Sequence, residues 1–254
     1  MLVHIECSKR PAAPSWRGRG WSRSTVISVS ASETDYDSKG VLVTQLGSDC
    51  KNFFRARDTN DARVIFASQP ELDWHAFFGR AAPVEVEIGC GKGAFLLEYA
   101  RANPQHNLLG IENQPRWSRW IAERLTRAPL SNVRVLCADA ALVVARFVRD
   151  DSVRAYHLYF PDPWWKRRHH KRRLVRSEFA VELLRTLEPG GTLHIATDVG
   201  ERFDAMRAEL TQVPFSIRVE TGPTPAGRPL TNFERKYRAE GRLLHYVSAT
   251  KPRR

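Results

Sequence analysis

An α/β fold of Rossmann-like, doubly wound type, with a mostly parallel sheet and an antiparallel hairpin at one edge, is predicted by three features of the sequence. From Val84 onward, short β-branched runs alternate with segments whose apolar residues recur at helical spacing. The first strand-like run ends in a glycine-rich turn, Glu87-Ile88-Gly89-Cys90-Gly91-Lys92-Gly93-Ala94, which opens directly into a helical segment. Two late strand-like runs are separated by one short polar helix, an arrangement that suits an edge hairpin.

Taken in order, residues 1–63 read as a poorly ordered extension rich in Ser and Arg, broken early by Pro11, Pro14, Gly18 and Gly20. Within it residues 25–29 and 41–44 have the composition of strands that pair. A domain runs over 64–254, and near its start Leu72, Trp74, Phe77 and Phe78 mark a short apolar segment that docks on the rest of it. The alternation of Val84-Glu85-Val86-Glu87-Ile88 gives a strand, and 93–103 a helix stopped by Pro104. Strands are expected at 107–112, 133–137, 153–160, 192–197, 215–220 and 243–249, and helices at 114–127, 140–148, 177–187, 201–210 and 233–239. Ser177 is placed as an N-cap, and Pro189-Gly190-Gly191 as a turn.

A chain of 254 residues with 42% hydrophobic residues can bury a sizeable core, and its net charge of +12 favours a polyanionic partner. Cys7, Cys50, Cys90 and Cys137 are scattered, with no C-x-x-C pair, so neither a metal site nor a disulfide framework is expected. The cysteine usage fits a reducing cytoplasm, and since no apolar run reaches the roughly 18 residues of a membrane span and no signal-peptide region opens the chain, a soluble protein is expected. The acidic residues Glu33, Asp35 and Asp37 argue against a transit peptide. A monomer and a homodimer are both compatible with the sequence.

The glycine turn sits where a doubly wound sheet binds a nucleotide, and Gly89-x-Gly91-x-x-Ala94 loosely satisfies the dinucleotide fingerprint, with Glu112 placed for a ribose. On pattern alone an NAD-type dehydrogenase is a rival. Glu87 decides against it: a carboxylate two residues before the first glycine repels a pyrophosphate but attracts a cationic ligand such as S-adenosylmethionine. Glu112 then accepts ribose hydroxyls and Asp139 the adenine amino group, one carboxylate at each of three successive strand ends. The plain alternative makes Glu87 and Asp139 helix caps or loop residues.

The second informative stretch is Phe160-Pro161-Asp162-Pro163-Trp164-Trp165, followed by an unbroken basic run from Lys166 to Arg173. Prolines fix φ on both sides of Asp162, which follows the fourth strand and so faces the same crevice. Trp164 or Trp165 can stack on an extruded base, a contact worth about 1–3 kcal/mol. The run supplies phosphate contacts.

From about Val84 onward the chain resembles the bacterial tRNA (guanine-N7-)-methyltransferase family. Three groups of residues carry the resemblance: the turn from Glu87 to Gly93 with Gly110-Ile111-Glu112; the Phe160 to Trp164 loop with Lys166 and His170-Lys171-Arg172-Arg173; and Thr231-Asn232-Phe233-Glu234 after Ala196-Thr197-Asp198. The resemblance implies transfer of a methyl group from S-adenosylmethionine to N7 of a guanosine in the variable loop of tRNA. It implies cofactor contacts at Glu87, Gly89, Gly91, Glu112, Asp139 and Asp162, with Asp162 also catalytic. Substrate contacts fall on Lys166, Asp198, Thr231, Asn232, Phe233 and Glu234, and tRNA contacts on Arg168, His169, His170, Lys171, Arg172 and Arg173. The first sixty residues lie outside it. A non-catalytic RNA-binding module would lack the cofactor carboxylates, and all four are present.

Overall fold

In the strand β5 (Val84–Ile88) acidic and apolar residues alternate, a pattern that on a half-covered strand would leave Glu85 and Glu87 in water. All five residues are buried instead, because β5 lies inside a seven-stranded sheet with helices over both faces. The computed structural model describes residues 71–162, 173–222 and 227–253, with only the backbone of four short strands before them. Of these, β1 (Val3–Ile5) pairs with β2 (Val29–Ala31) and β3 (Thr44–Gln45) with β4 (Phe53–Phe54). The two runs expected to pair in the extension thus overlap strands with other partners.

The sheet order is β10-β11-β9-β8-β5-β6-β7, where β6 is Asn107–Glu112, β7 Val133–Cys137, β8 Val153–Tyr159, β9 Leu187–Thr197, β10 Ser216–Thr221 and β11 His245–Thr250. The contacts β9-β8-β5-β6-β7 are parallel, while β11 runs antiparallel to both β9 and β10. This is the expected doubly wound sheet with its edge hairpin, and strand order reverses between β5 and β8, where such folds open a crevice.

Among the described residues, seven helices complete the fold: α1 (Trp74–Phe78), α2 (Ala94–Ala102), α3 (Pro115–Arg127), α4 (Ala140–Phe147), α5 (Ser177–Thr186), α6 (Gly200–Leu210) and α7 (Asn232–Ala239). Val84, Val86 and Ile88 pack with Val143, Val144 and Leu183 in the larger core cluster, which also takes in Leu72, Trp74 and Phe78 of the docking segment. Asp73 caps α1 by accepting from the N–H groups of His75 and Ala76. On the other face Leu96, Leu97, Ile121 and Leu125 cover Leu108 and Val133.

Two local expectations are corrected. Ser177 does not cap α5: the cap position is Arg176, and the Ser177 N–H donates to Glu209 Oε2 at 2.7 Å. Pro189-Gly190-Gly191 does not end a segment but lies within β9, as a bulge between the pairs Val153 with Leu187 and Ala155 with Thr192. A Cβ on Gly191 would come within 2.9 Å of the carbonyl oxygens of Arg154 and Glu188, so the bulge requires glycine.

Burial of Glu85 is met by partners on the same face. His157 Nε2 lies 2.7 Å from one carboxylate oxygen and His106 Nδ1 2.6 Å from the other, while His157 Nδ1 is 3.0 Å from the Tyr159 hydroxyl. Burial alone would raise the Glu85 carboxyl, but the hydrogen bond and charge of His157, with the charge of His106, hold it below its ordinary 4.5. Because the folded value is the lower one, this contribution to stability is complete above about pH 4.5 and lost as pH falls through the folded value. His157→Phe should cost about 3–5 kcal/mol by stranding a buried carboxylate, read from the denaturant midpoint, and Glu85→Gln should flatten the acid side of the stability profile.

Candidate active site

The carboxyl ends of β5, β6 and β8 converge on the glycine turn. Gly89 and Gly91 have φ of 74° and 52°, the left-handed region that glycine enters without strain, and a Cβ on either would meet nothing within 4 Å. The turn therefore presents bare backbone to open space. It is pinned by Gly89 N–H donating to Ile111 O at 2.7 Å and Gly91 N–H to Glu112 Oε2 at 2.8 Å.

Glu112, ending β6, also accepts from Gln114 N–H through Oε1 at 2.8 Å, so it organises the turn and the start of α3 while each oxygen keeps a further lone pair. Asp139 is the N-cap of α4, its Oδ1 accepting from the N–H groups of Ala141 at 2.8 Å and Leu142 at 3.3 Å. The capping alternative is thus correct for one oxygen of Asp139. Glu87 is 4% exposed, and the Leu96 N–H in the first turn of α2 bonds its carboxylate, so capping accounts for part of it as well. Its Oε2 is buried without a hydrogen-bond partner. Burial first, then the neighbouring Glu112 carboxylate, push the Glu87 carboxyl up to about 8, against a Leu96 N–H and the charge of Arg228. An orphaned acid beside an open glycine turn fits a cationic group and repels a diphosphate.

The other wall is aromatic. β8 ends at Tyr159, and Phe160, with φ of 51°, turns the chain sharply toward Pro161 and the exposed Asp162. A phenylalanine in that region is strained and needs to be held. Its N–H donates to Ala196 O at 2.7 Å, and its ring meets Tyr237 at 5.5 Å and Phe233 at 6.0 Å. The acid-bearing loop therefore rests on α7.

α7 is fixed by a capping box in which Thr231 and Glu234 bond each other's backbone N–H groups. Glu234, fully buried, also takes both arms of Arg228, at 2.9 and 2.5 Å, and the Tyr246 hydroxyl at 3.2 Å. Its carboxylate is engaged by the fold, unlike the exposed Asn232 and the half-exposed ring of Phe233. Arg228 lies 4.5 Å over the Tyr159 ring. Sequence reasoning passed over Arg228; the Thr231 and Glu234 spacing was the available signal. Asp198, after β9, is paired with Arg242 at 2.7 Å. Arg173 is half-buried near Arg202, whereas Trp164, Trp165, Lys166, Arg168, His169, His170, Lys171 and Arg172 lie outside the described residues.

A doubly wound sheet whose first strand ends in a buried acid and an open glycine turn, with acids ending the next two strands, defines the S-adenosylmethionine-dependent methyltransferases. Solved structures agree on the fold: 16S rRNA methyltransferase KamB aligns with TM-score 0.52 and 16% identity over 72% of this chain and 96% of that one. An antibiotic-related methyltransferase gives 0.51 and 16% over 68% and 89%. A family model described as "Putative methyltransferase" matches residues 81–246. Proteins named tRNA (guanine-N(7)-)-methyltransferase are similar at 41% identity in Cronobacter sakazakii over 68% of this chain and 74% of the relative, and at 39% in Myxococcus xanthus over 71% and 89%. The relative in Burkholderia mallei is 33% identical over 92% of this chain and 93% of its own. The chain belongs to the tRNA (guanine-N(7)-)-methyltransferase family. The Burkholderia match reaches well into the first sixty residues, which corrects the expectation that the extension has no counterpart in the family.

If Glu87 takes the cofactor's positive charge, binding releases its proton. Affinity for S-adenosylmethionine measured by calorimetry should then weaken as pH falls below about 8, by up to about tenfold per pH unit. Glu87→Gln should bind weakly at every pH and lose that dependence. Because the folded value is raised, Glu87's own contribution to apo-protein stability is complete below about pH 4.5 and lost as pH rises toward 8.

Proposed function

We propose that this chain transfers the methyl group of S-adenosylmethionine to N7 of a guanosine in the variable loop of tRNA. The observation that carries the reading is the buried, partnerless Oε2 of Glu87 at the glycine turn, which selects a cationic methyl donor over a dinucleotide. Family membership supplies the substrate.

Glu87, the Gly89 and Gly91 turn, Glu112, Asp139 and Asp162 hold the cofactor, which supplies an electrophilic methyl group on a sulfonium. The rest of the chain has to place guanine. N7 carries a lone pair and no proton, so the reaction needs alignment more than a base. Asp162 accepts hydrogen bonds from guanine N–H groups and offsets positive charge growing on the ring. Phe160 and α7 fix the direction from which it does so. Lys166, Asp198, Asn232 and Phe233 are assigned to nucleotide contact, while Thr231 and Glu234 act by fixing α7 and Arg228. The run from Arg168 to Arg173 takes phosphates. No helix among the described residues is long and apolar enough to cross a membrane, and we place the enzyme with tRNA in the cytoplasm.

Unmodified tRNA incubated with labelled methyl donor should gain label at a single guanosine, located by chain cleavage at 7-methylguanosine in the variable loop. Label in another base, or at a guanosine elsewhere, overturns the assignment. Asp162→Asn should lower turnover by about 10²-fold or more with tRNA affinity unchanged; full turnover would remove Asp162 from the mechanism.

A further inference from the structure

We infer that α3 is a second tRNA contact, which grips the phosphate backbone and stacks one unpaired base on Trp120. The inference rests on the tRNA methyltransferase reading and extends it to a surface on the other side of the crevice.

The helix is two-faced. Ser118, Ile121 and Leu125 are buried, and Ile121 and Leu125 pack with Leu96, Leu97 and Leu108. At 100° per residue, Arg116, Trp120, Glu123 and Arg127 fall in one row opposite that seam, with Arg119 beside it. These five are exposed, and Trp120 keeps 49% of its surface in solvent. α3 carries four arginines against one glutamate. Solubility alone accounts for the charge but not for an indole left open among arginines. An exposed π face on a helix with a net positive charge is what an unpaired base and its phosphates bind.

The position of α3 ties this face to the reaction. It starts just after Glu112, which accepts from Gln114 N–H, so its first turn forms the rim of the cofactor crevice. Arg124 donates to Lys92 O of the glycine turn at 3.2 Å. Lys92 Nζ and Arg116 Cζ lie 5.2 and 4.5 Å from the Trp117 ring, concentrating positive charge at that rim. β6 and β8 flank β5 on opposite sides, so α3, after β6, and the segment carrying Asp162, after β8, leave the sheet on opposite sides of the crevice. A nucleotide held between them has flanking phosphates within reach of α3. The charge complementarity is with a polyanion, since the whole chain carries +12.

The test uses the full chain, with Arg119→Glu/Arg127→Glu and Trp120→Ala as variants, and unmodified tRNA transcript with labelled methyl donor. The double variant should weaken tRNA binding at least tenfold and reduce the dependence of log affinity on log salt by about two. Trp120→Ala should weaken binding by about 5- to 100-fold with the salt dependence retained. In both, S-adenosylmethionine affinity, melting temperature and turnover at saturating tRNA stay at wild-type values. Wild-type tRNA affinity in both variants overturns the inference, as does a homodimer that Trp120→Ala splits without loss of tRNA affinity. Failure of the wild-type enzyme to form 7-methylguanosine in tRNA would instead strike the reading on which the inference rests.

Discussion

Two carboxylates on the same face of one buried strand set the terms for this molecule. An ionised acid in the interior is costly unless something compensates it, and β5 meets the problem in two ways within three residues. Glu85 is compensated by the protein itself, through His157 and His106. Glu87 has a buried oxygen that no protein group satisfies. The first acid is structural because its partners are present, and the second leaves one oxygen open toward the glycine turn, the feature on which the proposed cofactor site rests. The histidine network also orders Tyr159, the last residue of β8, so the structural acid supports the strand from which the segment carrying Asp162 departs.

The loop after β8 shows how a strained position is maintained. Phe160 stays in the left-handed region because α7 packs two rings against it and Ala196 takes its N–H. α7 is held in turn by its capping box and by the fork from Glu234 to Arg228, which covers Tyr159. Three segments distant in sequence are thereby joined into one wall.

Much of this was legible. Strands 84–88, 107–112 and 133–137 were read with their observed bounds, because short apolar runs between turn residues leave little freedom of assignment. The acids at the ends of three strands followed from topology. What escaped was set by tertiary partners: the alternation of β5 concealed that both faces are covered, and α5 begins at Ser177 itself, its free N–H satisfied by Glu209 of α6 instead of by a serine cap. Glycine next to proline suggests a turn, yet in β9 the pair absorbs a bulge beside Arg154. Arg228 had no local signature, although the spacing of Thr231 and Glu234 announced the cap that holds it.

The insertion of β11 between β9 and β10 bears on how the chain matures as it is made. Until the ribosome has released His245–Thr250, β10 has no neighbour in the sheet and β9 is a bare edge. Tyr246, which donates to Glu234, is also still missing. The glycine turn is pinned within β5 and β6, made long before, whereas the aromatic wall opposite it is complete only once the last strand of the sheet is in place.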